Sequence, residues 1–408
     1  MYQLLVVIIS FSIIPILIKK KVKLSYTLLI IAGILGIFSN IGINNVSNSI
    51  FNVFLNSASR STILTVMMVS ILGGLMGHYK ILESIVETLE GLIKNKKNIL
   101  MIIPAFIGLL VVPGGALLSA PFINNIGEEL RITPPKRAAI NLIFRHIAMF
   151  VMPFSTGLLI VASSFPDLSI GRIILYNILF VSLIVISGYL LFIRNIKVDI
   201  HTKRENYGSN LIKLGLLTSP IYVPVIITLS TGLPFYITLL ISLVIVYFLG
   251  DKNNFIKTLV NSISWHTILT MIAILIIKEI ISNMDGLLEI FIALFNNSNG
   301  IFYTLLIFFV TSLFFGIVTG NQGASLAIIL PMISGLTLST NMLYIYVYFA
   351  YVSAFMGYYF SPLHLCQAFT VELMGVNTID LYKEYKLYAP IMFVILIGTF
   401  FFLRLIVG

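Results

Sequence analysis

The stretch FFGIVTGNQGASLAIILP, Phe314 to Pro331, sets Gly320, Asn321, Gln322, Gly323 and Ser325 inside an otherwise unbroken apolar run. Polar groups buried in apolar surroundings cost free energy unless they are satisfied. The cost is removed when they form a tip that faces protein or water. The stretch therefore reads as the turn of a hairpin with two apolar arms.

The rest of the chain supplies the setting for such a hairpin. Hydrophobic residues make up 59% of 408 positions and only 10% are charged, and the mean hydropathy is +1.05, which is the composition of a polytopic membrane protein. Apolar runs of about 20 residues, each long enough to cross a bilayer, recur along the chain. The net charge of +10 would suit nucleic acid in a soluble protein. Here the Lys and Arg residues sit in short loops, where they report orientation, so no nucleic-acid partner is expected. A single cysteine, Cys366, excludes an internal disulfide. Spacing along the chain suggests neither a metal site nor a cofactor. The first apolar run, Tyr2 to Ile18, has neither a basic region before it nor a small-residue cleavage site after it, and reads as a retained helix.

The basic clusters order the spans. Helix 1 (about 2–18) leads to KKKVK, Lys19 to Lys23, which belongs in the cytoplasm and leaves the N-terminus outside. Helix 2 (about 24–43) runs to a polar loop of Asn and Ser, and helix 3 (about 61–77) returns to Lys80, Lys94, Lys96 and Lys97. The stretch from Asn98 to Asn125 is broken by VVPGGALLSAP and followed by Arg131, Lys136 and Arg137, so it has basic flanks on both sides. A re-entrant hairpin keeps both flanks inside. Helices 4 (about 138–164) and 5 (about 171–193) precede a basic cytoplasmic linker. Helices 6 (about 212–231), 7 (about 233–250) and 8 (about 264–283) lead to an external loop with Asp285 and Glu289. The opening stretch then forms a second hairpin, about 301–336, entered from the outer face. Helix 9 (about 342–371) goes in and helix 10 (about 388–406) ends outside.

The expected fold is thus an all-α membrane protein with five spans and one hairpin in each half, 1–193 and 212–408, joined by the linker 194–211. An odd number of spans turns the second half upside down, giving an inverted repeat. Gly115-Ala116 is answered by Gly323-Ala324, and Phe154-Ser155 by Phe360-Ser361, at nearly the same offset. The first tip offers Gly114 and Gly115, with Ser119 beyond them, and the second offers Asn321, Gln322, Gly323 and Ser325. A helix starting at such a tip presents free amides and a positive dipole end, which favours an anion. Helices 4 and 9 break at MPFSTG (Met152 to Gly157) and YFSPLH (Tyr359 to His364), bringing Ser155, Thr156 and Ser361 and carbonyls able to hold a cation.

Opposed hairpins, each followed by a broken helix, with a Gly/Asn/Ser tip, resemble the ion transporter superfamily, which includes gluconate permeases, citrate transporters and dicarboxylate/sodium symporters. VPGGALLSAPFINNIGEEL and TGNQGASLAIILPMISG more narrowly resemble an uncharacterised family of that group, domain of unknown function 401, over essentially the whole chain. The resemblance implies secondary transport of a small organic anion by alternating access, with substrate and coupling ion between the tips and the broken helices. It implies a bound sodium ion as a candidate and, by analogy, a homodimer. Sodium-coupled members resemble one another in a Ser-Asn-Thr motif at both tips; this chain has Asn321 at one tip and no such motif at the other.

Single residues carry two readings each. The tip residues Asn321, Gln322 and Ser325 bind substrate or satisfy their own hairpin, while Ser155, Thr156 and Ser361 bind or bend their own helices. Arg145 pairs with a substrate carboxylate or snorkels to the interface. His146 and His364 carry a coupling proton or pack against carbonyls. Glu128 and Glu129 belong to a solvated cytoplasmic mouth, and Lys278 and Glu279 need not pair. No HExxH, GxSxG or GxxxxGK[ST] motif is present, which speaks against an intramembrane enzyme or an ATP-driven pump. A channel is the alternative to a carrier. The expected setting is the cell membrane, with lipid and a small anionic solute as partners and both termini external.

Overall fold

The computed structural model describes residues 1–93, 95–109, 116–197, 207–250, 252, 254–296 and 301–408, and among these every regular element is helical. The first apolar run divides at Pro15 into α1 (Tyr2–Ser12) and α2 (Ile14–Lys19). Then come α3 (Leu24–Phe38), α4 (Ile43–Leu55), α5 (Ser57–His78) and α6 (Ile81–Leu92). α7 (Lys96–Leu109) and α8 (Ala116–Glu129) follow. α9 (Pro134–Arg145), α10 (Ala148–Val151) and α11 (Thr156–Ser164) make one interrupted span, and α12 (Ile170–Gly188) closes the first half with a π turn to Ile193. The second half holds α13 (Tyr207–Thr231), α14 (Phe235–Leu249), α15 (Phe255–Asn261), α16 (Trp265–Ser282), α17 (Asp285–Asn296), α18 (Ile301–Thr319), α19 (Gln322–Ser334), α20 (Thr340–Tyr359), α21 (Leu365–Leu373) and α22 (Thr378–Val407).

Eight helical stretches among the described residues are long and apolar enough to cross a membrane. α3 and α14, expected as full spans, have only 15 residues each, roughly 22 Å at about 1.5 Å per residue. Each hands over to a short helix, α4 or α15. The sequence reading treats the Asn/Ser segment before α5 as a loop, but it folds as α4. Ile43, Val46, Ile50 and Val53 recur there at helical spacing between the asparagines. The acidic segment read as an external loop is likewise helical, as α17. α22 starts ten residues before the expected helix 10, because Asn377 caps it by accepting the Ile379 amide at 2.9 Å.

Elements from both halves of the chain pack against one another. α3 lies on α16 and α5 on α14; α4 lies on α16 and α15 on α5; α6 lies on α13 and α17 on α1. α7 and α8 flank α9, as α18 and α19 flank α20. α11 meets α19 while α21 meets α8, and α9 meets α22 while α20 meets α12. The largest fully buried side chains among the described residues include Phe144, Phe150, Tyr348, Tyr351 and Phe355 on α9, α10 and α20.

Candidate functional site

The interruption between α10 and α11 follows from local bonding. Met152 is extended, and the Ser155 hydroxyl donates to the Met149 carbonyl at 2.9 Å. Tyr351 on α20 also donates to that carbonyl. The second interruption lies between Tyr359 and Leu365. There the Ser361 hydroxyl donates to the Ile317 carbonyl of α18 at 2.6 Å, and Tyr382 donates to the Phe360 carbonyl at 3.0 Å. The Met149 and Phe360 carbonyls at the two breaks are thus engaged by the protein's own hydroxyls. A sodium ion would have to compete with them.

The α18–α19 tip is built on Gly320, whose φ of +57° suits glycine, and a Cβ there would lie 2.7 Å from Leu363 in the second break. The Thr319 hydroxyl accepts the Asn321 amide at 3.1 Å and shares its one proton between the Phe315 carbonyl at 2.7 Å and the Asn321 carbonyl at 3.0 Å. The Asn321 side chain then accepts the Ala324 amide at 3.0 Å. This leaves the amides of Gln322 and Gly323, the first two of α19, with no acceptor inside the helix. Gly323 also allows α19 to approach α11, since a Cβ would sit 2.9 Å from Thr156 Cγ2.

Tip and breaks meet at a cavity of about 230 Å³. Of the residues singled out from sequence, Arg145, His146, Thr156, Asn321, Gln322 and Gly323 line it. Ser155 and Ser361 are buried behind the wall in the bonds just described. Ser325 donates to the Ser312 carbonyl at 2.9 Å, and Ser119 is buried with no partner for its hydroxyl. Gly114 and Gly115 lie outside the described residues. His364 is buried just beyond the wall, its Nε2 3.0 Å from His146 Nε2.

Sequence reading missed Gly108, Tyr358 and Cys366, and also His266, Thr267 and Thr270 on α16, all of which line the cavity. A signal for the α16 group existed: three polar residues on one stripe of an apolar helix. His266 is tied by Nδ1 to the Ser25 hydroxyl of α3 at 2.6 Å.

Electrostatically the cavity is one-sided. Arg145 is 5% exposed, and among the described residues its Nη1 has no hydrogen-bond partner and no carboxylate lines the cavity. The other buried Arg and Lys among the described residues are paired: Arg137 with Glu128 at 2.9 Å, and Lys278 with Glu279 at 3.1 Å. The second pair corrects the expectation from sequence. Lys278 also donates to the Ser163 carbonyl at 3.0 Å, so its side chain bends back far enough to meet its neighbour. Glu129 pairs with Lys96. An unpaired buried guanidinium beside two free helix amides can hold a carboxylate or another small oxyanion.

No curated protein matches the chain. A family model described as "Protein of unknown function (DUF401)" matches residues 3–405, and the chain belongs to that family.

Proposed function

For this member of DUF401 we propose secondary active transport of a small organic anion, a carboxylate or sugar acid, by alternating access and coupled to a proton or sodium gradient. The observation that carries the reading is Arg145, buried against the cavity with no carboxylate to neutralise it. Leaving a buried charge uncompensated costs several kcal/mol. An anionic substrate offsets that cost each time it binds. The start of α19 supplies a second, uncharged contact for the same anion.

The architecture proposed for the cycle is the inverted repeat with two re-entrant hairpins. Its support is the exchange of partners between halves, in which α11 on α19 is matched by α21 on α8 and α3 on α16 by α14 on α5. Three of the four hairpin arms, α7, α8 and α19, have 13 or 14 residues, roughly 20 Å each at about 1.5 Å per residue, short of a hydrocarbon core of about 30 Å. On this reading the protein lies in the cell membrane with both termini outside, as a carrier and not an enzyme, and a homodimer is its expected assembly. Substrate bound between the halves would be released as one half rocks against the other.

Proteoliposomes containing the protein should accumulate labelled carboxylates or sugar acids saturably under an imposed proton or sodium gradient, and the effective gradient names the coupling ion. Flux that never saturates would assign a channel. Absence of flux for every anion in the panel would remove the transport reading.

A further inference from the structure

We propose that His146, His364 and Cys366 form a binding site for a zinc-class divalent metal ion at the inner wall of the cavity. The three ligand atoms lie within 4.8 Å of one another. Both histidines are almost fully buried, and Cys366 and His146 line the cavity. Spacing along the chain does not reveal the cluster, because 218 positions separate the two histidines. The folded breaks bring it together: His146 ends α9, while His364 and Cys366 stand at the start of α21.

The orientation of the rings carries the argument. His146 Nδ1 lies 2.6 Å from the Leu142 carbonyl, and His364 Nδ1 lies 3.4 Å from the Tyr359 carbonyl. A carbonyl only accepts, so each Nδ1 carries its proton there and each neutral ring turns a bare Nε2 lone pair outward. Those two lone pairs face each other at 3.0 Å. Two acceptors head to head repel unless a cation stands between them. Metal-binding histidines are held in this way, one nitrogen donating to a carbonyl while the other binds the ion. Two imidazole nitrogens on one tetrahedral zinc lie about 3.3 Å apart, given Zn–N bonds of about 2.0–2.1 Å. The observed separation needs only a small adjustment.

Two imidazoles and a thiolate suit zinc or a metal of similar softness. Arg145 stands close by and opposes any cation, and the Cys366 thiolate answers part of that charge. Tyr358, whose hydroxyl is 3.5 Å from His146 Nε2, is the other polar neighbour. Three protein ligands leave a fourth position toward the cavity, where the transported anion could complete the shell; that last clause rests on the transport reading, and the metal site does not.

Cobalt(II) alone is the probe, added to the full-length protein purified in detergent and stripped with a chelator. One equivalent should bind with tetrahedral visible bands and a thiolate-to-cobalt charge-transfer band, and zinc should displace it. Because the chain has one cysteine, such a band within a single chain has to come from Cys366. Cys366→Ser should abolish the band, and His364→Ala should weaken binding at least tenfold. Cys366→Ser is nearly isosteric and keeps the test decisive if His364→Ala misfolds. A protein that takes up no cobalt, or takes it up without the charge-transfer band, overturns the site, as does uptake unchanged in Cys366→Ser. The last outcome would place the metal on ligands other than Cys366.

Discussion

Arg137 and Arg145 stand about two turns apart on α9, and both are buried, yet only one has a counter-charge. Arg137 reaches Glu128 at 2.9 Å and the Asn124 carbonyl at 3.1 Å, both from α8. Arg145 reaches no carboxylate among the described residues, and it lines the cavity together with the start of α19. The same side chain on the same helix therefore serves two ends. Against α8 it ties two neighbouring helices together. At the cavity it has no such partner among the described residues.

The sharpest way to break this comparison is Arg145→Gln. Losing one side of a buried charge pair costs about 2–5 kcal/mol, so anion uptake should fall by about 30-fold or more. Melting temperature should hold or rise, since an uncompensated charge leaves the interior. A variant that transports normally would show that Arg145 does not hold the substrate.

Gly323→Val leaves both arginines untouched and tests the other half of the cavity. The added side chain collides with Thr156 and pushes the first amides of α19 from their position. Uptake should drop by at least tenfold while the protein still inserts and purifies as a folded species. Arg137→Gln is the converse case: it should cost about 1–2 kcal/mol of stability and leave uptake within a few-fold of wild type. If uptake collapses without any loss of stability, the division of labour between the two arginines is wrong.

The smallest effect concerns the acidic cluster of Glu87, Glu90 and Glu129. Burial raises the Glu90 carboxyl above its usual range, helped by Glu87 and Glu129 and opposed by Lys96. A raised value in the folded state favours the protonated form, so its stabilising contribution is present at low pH and is lost as pH rises through the folded value. Glu90→Gln should therefore melt slightly above wild type at neutral pH, and the gap should close toward the ordinary carboxylate pKa. A gap that widens on acidification would reverse the assigned direction.

The interruptions and the second tip were legible in the sequence because Pro, Gly, Asn and Ser stand out against apolar residues. GNQGAS and MPFS mark where helices stop, and the structure stops them there. The short helices α4 and α17 were hidden because asparagine and acidic residues read as loop unless the spacing of the intervening apolar residues is counted. The Lys278–Glu279 pair depends on how a long side chain bends, which adjacency alone does not fix. The meeting of His146, His364 and Cys366 depends on contacts between halves of the chain, and no local pattern encodes it. The α16 stripe of His266, Thr267 and Thr270 was readable in principle, as polar residues sharing one face of an apolar helix.

The central claim is that Arg145 gives the cavity its appetite for an anion. The most direct test is a thermal-stability screen in detergent, run on wild type and Arg145→Gln against small carboxylates, sugar acids and inorganic anions, each with and without sodium. A ligand at about 100 times its dissociation constant stabilises the folded state by roughly 2.7 kcal/mol, enough to shift the melt visibly. The account predicts at least one carboxylate or sugar acid that shifts the wild type and leaves the variant unmoved. A folded wild type that no anion shifts, or a variant that shifts equally, would contradict it.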